Sequence, residues 1–259
     1  MGAALKSTSE GSTLILTVSN PGMRNALGPD IYAAGVEALN AAENNPEIRS
    51  VVITGEDGIF CAGGDLRRLQ GNRRESPEVQ AQSIDALNSW IDSIRTFPKP
   101  VIAAVEGPAA GAGFSLALAC DFIVAADNAV FVMSYSGVAL SPDGGGSWHL
   151  ARSMPRALAS ELLMCAERIG ADRLQQLGVV NQVVPGGDAL TRALDLAVRL
   201  NARAPNALAS IKELLNDAPQ NTLGQHMARE RDHFVQNLHH ANGGEGISAF
   251  LEKRTPDYR

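Results

Sequence analysis

Two short glycine-rich turns, each placed soon after an apolar run, constrain this chain more than any other feature. The first, Phe60-Cys61-Ala62-Gly63-Gly64-Asp65-Leu66, follows Ser50-Val51-Val52-Ile53-Thr54. The second, Gly107-Pro108-Ala109-Ala110-Gly111-Ala112-Gly113, follows Pro100-Val101-Ile102-Ala103-Ala104-Val105. A turn of small residues lets a ligand touch the backbone itself, and a helix that starts there adds its positive end to the exposed N–H groups. Two such turns can aim two donors at one oxygen, as an oxyanion hole does. Taken singly, either set of glycines could simply permit a tight strand-to-helix turn. A dinucleotide loop at Gly111-Ala112-Gly113 is disfavoured, because Leu116 holds the place of the third glycine; no Gly-Lys-Ser/Thr phosphate loop occurs either.

The periodicity around these turns is that of an α/β protein. Leu14-Ile15-Leu16-Thr17-Val18 and Val51-Val52-Ile53-Thr54 predict buried strands, with Val101–Val105 a third. Between the first two lies a helix: Pro29 suits its first turn, Tyr32, Val36 and Leu39 share a face, and Asn44-Asn45-Pro46 stops it. Ile84, Leu87, Ile91 and Ile94 mark another long helix before Pro98 and Pro100. The segment from Arg67 to Pro77 is polar, with few apolar anchors, and reads as a mobile loop beside the site. From Asp188 onward the pattern predicts helices at about 188 to 203, 206 to 217, 222 to 241 and 244 to 252. The chain thus divides near residue 190, into an α/β core (1–190) and a helical C-terminal region (191–259).

A chain of 259 residues can bury a sizeable core. Its formal net charge of −6 argues against sequence-independent nucleic-acid binding, which needs a concentrated basic surface. Cys61, Cys120 and Cys165 are widely spaced, and His239 and His240 lack ligand spacing, so neither a disulfide framework nor a metal site is expected. A reduced, cytoplasmic setting follows. Leu14 to Val18 is too short for a signal peptide or membrane span, so no membrane partner is expected. The Met1-Gly2 start invites a lipidation reading, rejected because Lys6 stands where that motif has Ser or Thr.

Further segments join the two turns in a consistent order: Asn20-Pro21 through Arg24-Asn25-Ala26-Leu27, then Gly137 to Leu150 with Pro142-Asp143-Gly144-Gly145-Gly146, then Gly244 to Arg254. Over nearly its whole length the chain resembles the enoyl-CoA hydratase/isomerase, or crotonase, family. The resemblance implies a crotonase-like spiral of β-β-α turns, followed by a helical region that serves in trimerisation or as a lid. It implies a homotrimer or a dimer of trimers, an acyl-CoA substrate, and no permanently bound cofactor, CoA being part of the substrate. It assigns the oxyanion donors to the backbone N–H groups of Gly64 and Ala112. It also assigns CoA contacts to Arg24, Ala26, Ala62, Leu66, Phe250 and Lys253, the last two reaching from a neighbouring subunit. Arg24 and Lys253 would bring charge to phosphates.

The chain departs from the family's hydratases at both glutamate positions. Ser115 and Tyr135 stand there as substrate-pocket residues, and neither is a carboxylate able to activate water near neutral pH. Asp143 instead occupies the place where the aspartate-dependent isomerase branch carries its acid, as in ring-1,2-epoxyphenylacetyl-CoA isomerase, and Gly137 to Trp148 is especially similar to that branch. Its carboxylate either shuttles a proton or caps the helix that follows. Tyr135 either donates a hydrogen bond or packs as a buried ring. Asp65 caps the helix after the first turn, and His149 is structural. The expected activity is an acyl-CoA isomerase in which the oxyanion hole stabilises a thioester enolate while Asp143 moves a proton, for a double-bond shift or ring rearrangement. The alternatives are an enoyl-CoA hydratase with atypical acid/base residues, a dehalogenase-like use of Asp143 as nucleophile, and a non-catalytic CoA-ester binding protein. Dehalogenation would call for an additional base, and Arg67 to Pro77 holds no histidine.

Overall fold

The computed structural model describes residues 2–259, so Met1 of the Met1-Gly2 start lies outside it. A hairpin of β1 (Ala4–Glu10) and antiparallel β2 (Thr13–Ser19) opens the chain. β1 escapes a reading of apolar runs because it is a mostly exposed edge strand, Lys6-Ser7-Thr8-Ser9 at its centre. α1 (Pro29–Glu43) begins on Pro29 and leads to β3 (Ser50–Gly55). α2 (Leu66–Asn72) and α3 (Pro77–Thr96) follow, then β4 (Val101–Val105), the short β5 (Pro108–Ala110) and α4 (Ala112–Ala119). The next turn comprises β6 (Phe122–Ala126), β7 (Val130–Val132), α5 (Gly146–Ser153) and α6 (Arg156–Met164). β8 (Ile169–Gly170), α7 (Ala171–Gln176) and β9 (Gln182–Val184) close the sheet-bearing part.

The larger sheet runs β1-β2-β3-β4-β6-β9, parallel from β2 onward. A second, smaller layer runs β5-β7-β8, and two single bridges, Leu27 to Gly64 and Cys61 to Ala109, extend it toward the N-terminus. Successive passes therefore repeat one pattern: a strand in the large sheet, a short segment in the small layer, then a helix. This is the spiral of β-β-α turns that the family resemblance implies.

Strand alternation divides the core in two, as the two-residue period requires. Val51, Ile53, Val101, Ala103 and Val105 point toward α1, α3 and α4, with Leu87, Trp90 and Phe114 buried among them. Val52, Ile102, Ala104 and Val124 point the other way, under Ala189, Ala193 and Leu196 of α8 (Ala189–Asn201). α9 (Pro205–Asp217) is held by the buried Lys212, whose ammonium donates to Ile94 O at 2.9 Å and to Asp121 Oδ2 at 2.7 Å. α10 (Leu223–His239) has no buried residue, and α11 (Ala241–Glu252) starts earlier than predicted because His240 accepts from Asn242 N. Phe234, Phe250 and Leu251 stand exposed on these last helices.

The segment from Arg67 to Pro77 departs from the expectation of a loop. Asp65 caps α2 there, its Oδ1 accepting from Arg67 N at 2.8 Å and Arg68 N at 3.3 Å. A capped helix satisfies its own backbone groups, so the segment needs few apolar anchors to be ordered, and the polar composition misled. Among the described residues no helix is long and apolar enough to cross a membrane, and no cluster of three metal-ligating side chains occurs.

Candidate active site

The two glycine turns lie side by side because short strand pairing ties them. Phe60 N donates to Glu106 O at 2.8 Å, Cys61 N to Pro108 O at 3.0 Å, and Ala110 N to Cys61 O at 2.9 Å. On the outer side, Leu27 N donates to Gly63 O at 2.7 Å and Ala62 N to Arg24 O at 3.0 Å. The buried Asn25 anchors that outer segment by donating to Glu56 O and Ile59 O. Glycine is required at two points of this junction. Gly63 has φ +92, and a Cβ on it would stand 2.7 Å from Ala110 O and 3.5 Å from Ala112 N. Gly111, at φ 50 and ψ −122, turns the chain into α4. Gly64 N and Ala112 N, left over by this pairing, donate to no acceptor among the described residues.

Both donors open on a cleft of about 850 Å³, a size suited to a small-molecule site. Ala62 and Leu66 line it from the first turn, with Leu69 from α2 and Arg73 from the residue that caps its C-terminal end. Opposite stand Tyr135, Val138, Leu140 and Asp143, with Val138 and Leu140 about half exposed as an apolar wall. Such an exposed apolar patch inside a cleft marks a binding surface.

Asp143 does not cap the following helix. The N-cap of α5 is Gly145, with no side-chain cap, and Asp143 Oδ1 instead accepts from the Tyr135 hydroxyl at 2.6 Å. Burial lifts the Asp143 carboxyl above the ordinary carboxylate range; the Tyr135 hydrogen bond and the nearby Arg68 guanidinium oppose this. Tyr135 therefore does both things expected of it, packing as a buried ring and donating a hydrogen bond; burial first, then the Asp143 charge, pushes its phenol up, so it stays protonated. Ser115 is fully buried behind the acid, and its hydroxyl donates to Asp143 O at 2.9 Å. A Cβ on Gly146 would meet Ser115 Oγ at 2.5 Å, so the close packing of α5 on Ser115 requires glycine at 146.

The remaining sequence-derived residues divide. Arg24 is exposed, Ala26 is buried beside the first turn, and neither lines the cleft; Phe250 and Lys253, exposed on the C-terminal helices, are not brought to it within one chain. His149 faces a different cavity, of about 400 Å³, and burial with the Arg95 and Arg152 charges holds it down at about 4, uncharged at neutral pH. Cys61 is fully buried, its thiol pushed up to about 12, and its sulfur accepts from Gly63 N at 3.3 Å. Arg68, not foreseen, donates to Ser83 Oγ at 2.8 Å and sets its charge near both Tyr32 and Asp143. The Asp65 cap was the signal that could have found it, since a helix beginning at Leu66 turns Arg68 and Leu69 toward the protein.

Comparison with known proteins bears on the family and the fold. The family described as enoyl-CoA hydratase/isomerase matches residues 8–259. The chain is 37% identical to 2,3-dehydroadipyl-CoA hydratase of Escherichia coli, over 95% of this chain and 94% of the relative. It is 35% identical to 1,2-epoxyphenylacetyl-CoA isomerase of the same species, over 96% and 95%. A crystal structure of an enoyl-CoA hydratase from Polaromonas sp. JS666 superposes with a TM-score of 0.98 at 78% identity, covering 98% of this chain and 99% of that one.

Proposed function

Because the chain belongs to the enoyl-CoA hydratase/isomerase family, acting on CoA thioesters, we propose that it is an acyl-CoA isomerase whose proton carrier is Asp143. One observation carries the choice. The cleft that holds two free N–H groups holds one half-buried carboxylate, and the two positions where a hydratase needs acids are a buried serine and a protonated tyrosine. Glu75, the other carboxylate on the lining, is exposed.

The chemistry needs no second acid. With the thioester oxygen between Gly64 N and Ala112 N, the C2–H bond of a 3-enoyl-CoA breaks; its proton passes to Asp143 and its electron pair spreads into a dienolate held by the two donors. The same proton then returns to C4, the thioester carbonyl re-forms, and the double bond lies between C2 and C3. Burial favours this role, because a carboxyl lifted toward neutrality takes and releases a proton with less bias. No metal or resident cofactor enters the scheme. The exposed Phe250 and Leu251 support assembly as a homotrimer or dimer of trimers, in which Phe250 and Lys253 reach the neighbour's CoA. Arg24 and Ala26, beside the first turn, fit the CoA contacts of the same scheme. A cytoplasmic setting suits a chain with three unpaired cysteines.

The names of the Escherichia coli and Polaromonas hydratases favour a second reading, hydration with unusual acid/base groups. Purified protein offered 3-enoyl-CoA and 2-enoyl-CoA in deuterated water separates the two. Double-bond migration without added water, lost in Asp143→Asn, is the expected result. Rapid hydration of the 2-enoyl ester by the unaltered protein would replace isomerisation with the second reading.

A further inference from the structure

We propose that Tyr135 is the positioning residue of Asp143: its hydroxyl holds Oδ1, so that Oδ2 is the oxygen that takes and returns the proton. This rests on the isomerase reading above and goes one atom further. The donor is 2.6 Å from Oδ1, and the main-chain oxygen of Asp143 is fixed separately by Ser115 Oγ at 2.9 Å and Gly146 N at 3.2 Å. A carboxylate held at its backbone and at one oxygen keeps a single orientation, and it presents its remaining oxygen to the cleft that Asp143 lines.

The same ring also spans to the oxyanion side. A Cβ on Gly111 would lie 3.6 Å from Tyr135 Cζ and 3.7 Å from its hydroxyl oxygen, so the phenol stands between the turn that carries Ala112 N and the acid. It thereby fixes the separation of the enolate-stabilising donors from the proton carrier. It also fills, with a neutral phenol whose one proton is committed to Asp143 Oδ1, the space in which a nucleophilic water would need a base. Because burial keeps the phenol protonated across the working pH, the bond to Oδ1 persists whenever Asp143 is ionised.

The test is Tyr135→Phe, which keeps the ring and removes the hydroxyl, with site-specific 3-fluorotyrosine at 135 as the conservative counterpart. For Tyr135→Phe we expect kcat to fall roughly tenfold with KM nearly unchanged. The acid limb of the pH–kcat profile should move to higher pH, since the lost hydrogen bond had favoured the ionised carboxylate. A fluorinated phenol, a stronger donor, should move the limb the other way. A rate and limb unchanged in both variants, with Asp143→Asn inactive, would overturn the positioning role and leave the isomerase reading intact. Turnover retained in Asp143→Asn would remove the isomerase reading itself, and the positioning role with it.

Discussion

The two walls of the cleft are made of different material. One is backbone: two N–H groups released by the pairing of two turns, with side chains that matter only by being small. The other is side chain: a carboxylate, a phenol and a guanidinium from three separate segments, Asp143, Tyr135 and Arg68. A backbone wall is specified by the glycines that let it form, whereas a side-chain wall depends on how distant segments meet. The first tolerates change at the donor and not beside it; the second loses most at the acid and less beside it.

The largest expected effect lies on the side-chain wall. Asp143→Asn should cut turnover by about 10²- to 10⁴-fold, the usual span of a general acid–base group, while thioester binding measured by calorimetry persists. Its stability should move the opposite way. Burial gives Asp143 a higher pKa in the folded chain than in the unfolded one, so the folded state binds more protons as pH rises through that interval. The resulting penalty is absent below the ordinary carboxylate range and complete above the raised folded value. Removing the charge should therefore raise the melting temperature at pH 7 and change it little in acid. A lower midpoint at pH 7 would mean that the carboxylate anchors the fold.

On the backbone wall the next effect is expected from Gly63→Ala. Its Cβ would press on Ala110 O at 2.7 Å from a backbone of φ +92, forcing the turns apart. Misaligning one oxyanion donor costs about 10²- to 10³-fold in kcat, and a lower melting temperature should accompany it. Full activity in this variant would detach the donors from the pairing of the turns. Smaller still is Arg68→Met. The guanidinium favours the ionised Asp143, so its loss should shift the acid limb of the pH–kcat profile upward and reduce turnover below that limb by roughly two- to threefold, as a partly screened charge would. An unmoved limb would place Arg68 in packing through Ser83 and Tyr32 alone.

The same difference explains what could be read from the sequence. The glycine turns, the buried strands before them and the cap at Asp65 announce themselves locally, through φ requirements, alternation and capping chemistry. Asp143 stands out by its motif, but whether it caps a helix or faces a cleft depends on which way Pro142 to Gly145 turns, and no periodicity carries that. The Tyr135 contact joins residues eight positions apart across a short turn of the chain, and Arg68 reaches the acid from a helix whose polar composition resembles a loop. β1 was invisible for a related reason, since an edge strand facing water needs no apolar alternation. Phe250 and Lys253 need a second subunit to have a role in the cleft, and one chain's sequence pattern holds no coordinates for that.

Gly64→Ala is the smallest expected change and the sharpest test of the contrast. Gly64 carries one of the two donors, yet a Cβ built on it meets nothing within 4 Å and its φ lies outside the left-handed region. Its N–H is unaltered by the substitution, so the melting temperature should shift by an amount worth about 0.5 kcal/mol or less, and kcat should stay within a few-fold of the unaltered protein. The neighbouring Gly63→Ala would then fail one residue away, in a position that donates nothing to the thioester. If Gly64→Ala instead raises KM with kcat preserved, the added methyl stands where the acyl group binds, and the donor wall is still backbone. A large loss in kcat with KM preserved would show that donor orientation depends on the missing side chain at the donor itself, and the distinction between the two walls would fail at its strongest point.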